Sequence, residues 1–262
     1  QVYANHFAVM FAGGTAIVEP AFEVEKMLQR IQDTKATLHF GAPAMYVAMT
    51  QHPRFGEFDI RSLKKTFYGG APMPAEIVRR FRDYFPQLEA TQDFYGMTEA
   101  NGLVLTAPYT LEEASRRAGA LGKPVVGDIV RILDDHGNEV PEGEMGEFVI
   151  FGPTFSRGYY KDPQQTAEDF KQGWFYSGDL GRKDEEGFYH LIDRKKDLII
   201  RGGENIVPLE VENVLMQHPA IADCGVVGYP DLRLGERVRA CIVLKPGYKL
   251  MPEEVKEHCS KF

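Results

Sequence analysis

The sequence has 262 residues, of which 44% are hydrophobic and 26% charged, a composition typical of globular proteins that bury their own core. A formal net charge of −8 argues against a nucleic-acid partner, and three cysteines are too few for a disulfide framework, which predicts a reducing, cytoplasmic environment. No apolar run approaches the roughly 20 residues that a transmembrane helix needs.

Residues 1–105 alternate between strand-like and helical hydrophobic patterns. In chain order we expect a strand at 14–18, a helix at 24–31, a strand at 36–40, a helix that begins at Pro43, a strand at 63–68 and a helix at 74–85. Strands that alternate with helices predict a mostly parallel α/β sheet.

Short strand-like runs separated by turn sequences dominate the following residues, up to 192. The runs at 129–133, 147–150 and 188–192 are typical of an antiparallel, barrel-like segment. Residues 1–192 are therefore predicted to form part of a large domain, with an α/β subdomain over 1–105 and a barrel-like subdomain over 106–192.

The last part of the chain has a third pattern. Residues 193–197 are charged and predict a hinge, which a hairpin follows. A helix from Pro208, strands at 223–228 and 240–244, and a final helix that runs to the end of the sequence come next. We expect 198–262 to be the beginning of a small α+β domain that is truncated at residue 262.

Residues 93–99 carry the side chains that a nucleotide site needs. Tyr95 offers an aromatic face to a base, Thr98 a hydroxyl to a phosphate oxygen, and Glu99 a carboxylate to Mg²⁺. The alternative is a polar loop that caps a helix. Gly69 and Gly70 would let the backbone approach a flat ligand, although an ordinary strand-to-helix turn is the simpler explanation for them alone.

A second polar set follows downstream. The carboxylate of Asp179 can accept both hydroxyls of a ribose, and Arg194 can donate to the same sugar. Taken singly, Asp179 is better explained as a turn residue beside Gly178, and Arg194 as a solvated charge in a basic run.

Together, in order and spacing, these segments resemble the adenylate-forming superfamily of acyl-CoA and aryl-CoA ligases, peptide-synthetase adenylation domains and firefly luciferase. Residues 146–160, 199–210 and 218–236 extend the resemblance over essentially the whole chain. It implies an AMP-forming acyl-CoA synthetase, truncated at both ends. Such an enzyme uses ATP and Mg²⁺ to adenylate a carboxylic acid, here a fatty or aryl acid, and passes the acyl group to coenzyme A.

The resemblance also implies roles for individual residues. Thr98 and Glu99 become the catalytic pair, with Glu99 as the Mg²⁺ ligand, and Lys196 becomes the hinge residue. The implied nucleotide contacts are Gly70, Ala71, Pro72, Asp93, Phe94, Tyr95, Thr98, Asp179 and Arg194. The implied coenzyme A contacts are Gly202, Gly203 and Glu204, and the acyl-pocket residues are Phe40, Tyr68, Phe94 and Met97.

Two departures from the family pattern qualify these expectations. The phosphate-binding loop of the family would precede residue 1, and its C-terminal catalytic lysine would follow residue 262. We therefore expect the 262-residue chain alone to be inactive in adenylation. Phe94 stands where many relatives have glycine, which favours a narrow pocket and a short, branched or compact acid.

Two alternative functions stay open at this point. An adenylating enzyme could load a carrier protein instead of coenzyme A, although residues 202–210 look most like those of acyl-CoA ligases. A non-catalytic nucleotide-binding module is the second alternative. The oligomeric state is undetermined, and a homodimer is one option.

Overall fold

The computed structural model describes residues 9–71, 73, 77–78 and 81–262, without the side chains of 81, 82 and 107–109. The chain divides into two compact units. Unit 1 comprises Gln1–Arg131, Val149–Tyr176 and Lys183–His190, and unit 2 comprises Ile132–Phe148, Ser177–Arg182 and Leu191–Phe262. The predicted hinge at 193–197 and the predicted domain limits stay predictions.

The helices of the described residues are short. Those with both ends among the described residues are α1 (Val24–Thr34), α2 (Pro43–Thr50), α3 (Phe81–Tyr84), α4 (Leu111–Arg116), α5 (Pro163–Asp169), α6 (Pro208–Leu215) and α7 (Pro252–Cys259), with 3₁₀ turns at Phe55–Glu57 and Lys195–Asp197. Within the described ranges, no helix combines the length and the apolar character required to cross a membrane.

The strands build two sheets. They are β1 (Leu38–Gly41), β2 (Lys65–Gly69), β3 (Ala90–Met97), β4 (Gly102–Tyr109), β5 (Ala120–Pro124), β6 (Ile129–Leu133), β7 (Gly146–Phe151), β8 (Phe170–Lys171), β9 (Trp174–Lys183), β10 (Tyr189–Arg194), β11 (Ile199–Arg201), β12 (Glu204–Ile206), β13 (Ile221–Asp231) and β14 (Gly235–Leu244).

Every strand of the larger sheet contributes residues to unit 1. The strand order is β1-β2-β3-β4-β5-β10-β9-β7-β6, and β8 pairs with β9. Strands β1, β2 and β3 are parallel, whereas β3–β4, β4–β5, β5–β10 and β8–β9 are antiparallel. The predicted change from parallel α/β to antiparallel pairing is therefore confirmed.

The core of unit 1 lies where two helices cover the parallel strands. Leu28 and Ile31 of α1 and Tyr46 and Met49 of α2 are almost fully buried together with Phe85. Burial of one such side chain stabilises the fold by roughly 1.5–3 kcal/mol. The helical spacing of apolar residues at 24–31 thus marks a face that the fold does bury.

Unit 2 contains a four-stranded sheet in the order β12-β11-β14-β13. Its pairings β12–β11, β11–β14 and β14–β13 are all antiparallel. Ile199, Leu215, Ile221 and Val226 form its buried core, against which Val211 of α6 and Val255 of α7 pack. This arrangement confirms the predicted small α+β fold.

The expected strand at 14–18 is wrong. These residues form neither helix nor strand, and Ile17 and Val18 are 45% and 66% exposed. A short apolar run becomes a strand only where a neighbouring strand accepts its hydrogen bonds, and the described residues pair none with it.

Other elements differ mainly at their ends. Strand β14 begins at Gly235 instead of 240 because β13 and β14 form one long hairpin. Helix α7 ends at Cys259 rather than continuing to residue 262. Of the helix expected at 74–85, the described residues 77–78 and 81–84 are helical, and residues 74–76 and 79–80 lie outside the described part.

Candidate active site

The predicted glycine turn lies at the carboxyl end of β2, beside β3. Tyr68 pairs with Asp93 and Gly69 with Phe94 in the parallel register. A Cβ atom on Gly69 would lie 2.2 Å from the Phe94 carbonyl oxygen, so this position admits only glycine. The structure leaves Gly70 and Ala71 exposed at this edge, as a ligand contact requires. Pro72 lies outside the described residues.

Strand β3 presents different predicted residues on its two faces. Asp93 and Tyr95 point to the buried face and are 7% and 8% exposed, whereas Phe94 points to the opposite, half-buried face. The structure therefore places Phe94 apart from the other predicted nucleotide contacts of this strand.

Phe94 instead belongs to an aromatic cluster with Phe40 and Phe67. Its ring centroid lies 5.8 Å from that of Phe40 and 5.1 Å from that of Phe67. Phe40 and Phe94 were both predicted to line the acyl pocket, but Phe67 was missed. The sequence contains no local signal for Phe67, because its place in the cluster follows from its pairing with Phe40 on the neighbouring strand.

Two further predicted pocket residues do not join this cluster. Tyr68 lies on the opposite face of the sheet, where its ring packs at 6.3 Å against that of Tyr46 in the core. The hydroxyl of Tyr46, which donates to the carbonyls of His39 and Phe67, also belongs to this core. Met97 lies at the end of β3, opposite Gly102.

Burial governs the protonation of Asp93. Its removal from water raises the pKa of the carboxyl to about 7, and a hydrogen bond from the Phe94 backbone N–H opposes the rise. Near neutral pH the group is therefore present in both forms. The charged form accepts hydrogen bonds, as an adenine amino group would require.

We expect Asp93→Asn to remove a pH dependence of stability. Folded Asp93 holds its proton up to about pH 7, whereas the unfolded group releases it near pH 4. Because the folded state binds the proton more tightly, the free energy of unfolding falls as pH rises between these values. Relative to wild type, the variant should gain on the order of 4 kcal/mol between pH 4 and pH 8.

Urea unfolding at several pH values measures this difference, and parallel curves for the two proteins would contradict it. His39 titrates in an overlapping window with the opposite sign. Burial lowers its pKa to about 4, so its contribution is lost as pH falls below about 6.5. The difference in free energy of unfolding between wild type and Asp93→Asn does not include the contribution of His39, because both proteins contain this residue.

Gly96 and the turn after β3 position the predicted catalytic pair. A β-bulge separates Tyr95 from Gly96, and a Cβ atom on Gly96 would lie 1.9 Å from the carbonyl oxygen of Gly102. The chain then turns, with the N–H of Asn101 donating to the carbonyl of Thr98 at 2.9 Å. Thr98 is thereby exposed, and Glu99 is half-buried.

A tyrosine hydroxyl fixes Glu99. The Tyr159 hydroxyl lies 2.8 Å from Oε1 of Glu99 and 3.0 Å from Oδ2 of Asp169, while the Ser156 N–H donates to the Glu99 carbonyl at 2.7 Å. Burial and the two carboxylates raise the pKa of Tyr159. The single hydroxyl proton of Tyr159 can be donated to only one of the carboxylates of Glu99 and Asp169 at a time. The oxygen that does not receive this proton can still bind a cation or another donor.

The donor chemistry of Glu99 fits the expected magnesium. Mg²⁺ prefers oxygen ligands and is commonly held by one or two carboxylates together with substrate phosphates. The described residues contain no group of three or more His, Cys, Asp or Glu side chains that could hold a metal by themselves. Glu99 therefore suits a site in which one carboxylate and the phosphates of the nucleotide together coordinate Mg²⁺.

The predicted sugar-binding couple is formed in unit 2. Arg194 Nε lies 3.4 Å from Asp179 Oδ1, with the aspartate side chain 13% and the arginine 61% exposed. The structure thus brings these two residues together. Tyr95 and Glu99 belong to unit 1, and a single AMP groove formed by all four stays a prediction.

The expected hinge and coenzyme A contacts also lie in unit 2. Lys196 is an exposed residue of the 3₁₀ turn Lys195–Asp197. Gly202 and Gly203, with φ of 64° and 91°, form the tight turn between β11 and β12, and Glu204 follows with its side chain exposed. These positions are accessible, and their roles stay predictions.

Comparison with known proteins identifies relatives of both parts of the chain. Residues 2–160 match the family described as AMP-binding enzyme, and residues 210–262 match the AMP-binding enzyme C-terminal domain. A feruloyl-CoA synthase from Amycolatopsis is 40% identical over 94% of this chain and 49% of its own length. A medium/long-chain-fatty-acid–CoA ligase from Mycobacterium tuberculosis is 38% identical over 89% of this chain and 40% of its own length.

A solved structure shows the same fold. The o-succinylbenzoate-CoA synthetase of Bacillus subtilis, in complex with its acyl-adenylate intermediate, superposes with a TM-score of 0.84 at 30% identity. The match covers 99% of this chain and 51% of the solved one. The chain therefore spans about half the length of the relatives it matches.

Proposed function

Because the chain belongs to the AMP-binding enzyme family, we propose that it supplies the nucleotide-holding part of an AMP-forming acyl-CoA synthetase. The observation that carries this proposal is the Asp179–Arg194 couple. A largely buried carboxylate beside a guanidinium offers acceptors and donors to adjacent sugar hydroxyls. Asp93 and Tyr95 would contact the adenine, with the exposed backbone of Gly70 and Ala71 beside it.

The first half-reaction joins a carboxylate to the α-phosphate of ATP and releases pyrophosphate. These two anions repel each other, so the site must offset negative charge as the pentacovalent phosphorus forms. Glu99 would hold Mg²⁺, which offsets this charge when bound. The exposed Thr98 hydroxyl would donate to an α-phosphate oxygen.

The second half-reaction transfers the acyl group to coenzyme A and releases AMP. We propose that the turn at Gly202 and Gly203, with Glu204, contacts the pantetheine arm. Rotation about Lys196 would exchange the residues that serve the two half-reactions, a known use of short hinges. The three free thiols, Cys224, Cys241 and Cys259, support the cytoplasmic location predicted from the sequence.

The aromatic cluster of Phe40, Phe67 and Phe94 supports a compact apolar acid as substrate. We expect Phe94→Gly to remove the ring that narrows this face and to shift selectivity towards longer acids. Extra methylenes in an apolar pocket change kcat/KM by about tenfold or more. Measured kcat/KM for a short-to-long series of fatty and aryl acids tests this. Phe55→Leu, which changes a core ring elsewhere in unit 1, is the control.

The function itself is tested with a panel of carboxylic acids. The complete gene product is supplied with ATP, Mg²⁺ and either coenzyme A or a holo carrier protein, and AMP, pyrophosphate and thioester are measured. We expect AMP and acyl-CoA from at least one acid. A thioester formed only on the carrier protein would replace the coenzyme A proposal, and ATP binding without AMP formation with any acid would overturn the enzyme assignment.

A further inference from the structure

Glu147 of β7 contacts the neighbours of both members of the Asp179–Arg194 couple. Its Oε1 atom accepts a hydrogen bond from the N–H of Gly178 at 3.1 Å, and its Oε2 atom lies 3.2 Å from Nζ of Lys195. Gly178 directly precedes Asp179, and Lys195 directly follows Arg194. The carboxylate of Glu147 therefore connects the two chain segments that carry Asp179 and Arg194.

The couple itself is too loose to set its own geometry. At 3.4 Å, the contact between Arg194 Nε and Asp179 Oδ1 is longer than a good charge-assisted hydrogen bond, and the arginine is mostly exposed. Because the arginine is mostly exposed, this contact contributes little to stability. The backbone segments that carry the two residues therefore help to set their position.

Strand β7 supplies that position through two successive residues. Besides the contact of Glu147 with Gly178, the Ser177 hydroxyl donates to the carbonyl of Phe148 at 2.8 Å and accepts from the N–H of Asp179 at 3.1 Å. The part of β9 that carries Asp179 is thus attached to β7 at both 147 and 148. Of these attachments, only Glu147 also reaches the segment that carries Arg194.

We propose that Glu147 is a positioning residue for the site that binds the sugar of the nucleotide. Glu147 holds the Gly178 backbone and the Lys195 side chain. These two contacts place Asp179 and Arg194 so that both reach the same ribose. This inference rests on the proposed function. In this role Glu147 acts through its neighbours and does not touch the substrate itself. Its side chain is 15% exposed and its two oxygens are engaged by the protein.

The test compares ATP with 2′,3′-dideoxy-ATP in the complete gene product. If Glu147 acts through the ribose contacts, Glu147→Ala should raise KM for ATP about tenfold, the effect expected from one lost charged hydrogen bond. KM for the dideoxy analogue should change less than about twofold. Glu147→Gln keeps an acceptor for Gly178 and should restore most of the ATP affinity.

Two control variants separate the outcomes. Lys195→Met removes the second contact of Glu147, together with the pair of Lys195 with Asp135 at 2.7 Å. It leaves the contact of Glu147 with Gly178 in place, so it should affect KM less than Glu147→Ala does. Asp179→Asn must abolish discrimination between the two nucleotides. If neither Asp179→Asn nor wild type distinguishes them, the proposed sugar site fails, and the inference fails with it.

If Asp179→Asn abolishes discrimination but Glu147→Ala raises KM equally for both nucleotides, or for neither, the positioning role alone is overturned. Unfolding of each variant in urea, followed by circular dichroism, checks that the fold is retained. If Glu147→Ala unfolds early, Ser177→Ala replaces it in this comparison, because it loosens the same part of β9 at its other attachment to β7.

Discussion

Replacement of Glu99 by glutamine is expected to lower the rate of acyl-adenylate formation about 100- to 1,000-fold at saturating ATP. The substitution preserves the shape of the side chain and its acceptor for the Tyr159 hydroxyl, which lies 2.8 Å away. It removes the negative charge that would hold Mg²⁺ against the phosphates. Pyrophosphate exchange over a range of Mg²⁺ concentrations measures the loss.

Asp169 provides the matched control for Glu99. Its carboxylate lies 3.0 Å from the same Tyr159 hydroxyl but at the end of α5. Asp169→Asn should change the exchange rate less than about tenfold, the loss of one ordinary hydrogen bond. Binding of Mn²⁺ in the presence of ATP gives a readout that is independent of turnover, and it should weaken only in Glu99→Gln. A Glu99→Gln enzyme with Mn²⁺ affinity and exchange rate near wild type would refute the metal-ligand role.

The sequence predicted correctly those helices, strands and turns whose formation depends on a few neighbouring residues. The short strand-like run Ile129–Leu133, followed by a turn sequence, identified β6 to the residue, and Pro43 marked the first residue of α2. Gly202 and Gly203 predicted the hairpin turn, because few other residues adopt positive φ there. Each of these signals is contained within a few neighbouring residues.

The features that the sequence did not reveal depend on contacts between distant segments. Tyr159 reaches Glu99 from 60 residues away, and Glu147 reaches Gly178 across 31 residues. The wrong prediction of a strand at 14–18 also depends on contacts between distant segments. A strand there would need a neighbouring strand to pair with, and the local sequence does not show whether one is present. Within the candidate site, motif spacing gave the residue types, but the strand pleat decided that Phe94 and Asp93 face opposite ways.

The second large effect is expected on stability. Gly96→Ala should lower the free energy of unfolding of unit 1 by about 3 kcal/mol or more, at the upper end of the range for overpacked sites. The new Cβ atom would lie 1.9 Å from the Gly102 carbonyl oxygen and 2.9 Å from the Leu103 Cα atom. Both are backbone atoms of β4, which cannot turn aside as a side chain could.

Relief of this clash requires β3 and β4 to separate at the bulge next to Tyr95, so the predicted adenine platform should be lost together with stability. Urea unfolding followed by Trp174, the single tryptophan of the sequence, reports on unit 1. Gly56→Ala in the same unit is the matched control, because a Cβ atom at this position meets no atom within 4 Å. This variant should unfold within about 1 kcal/mol of wild type. If Gly96→Ala did the same, the close approach of β3 to β4 at this point would be disproved, and with it the structural reason for glycine beside the nucleotide site.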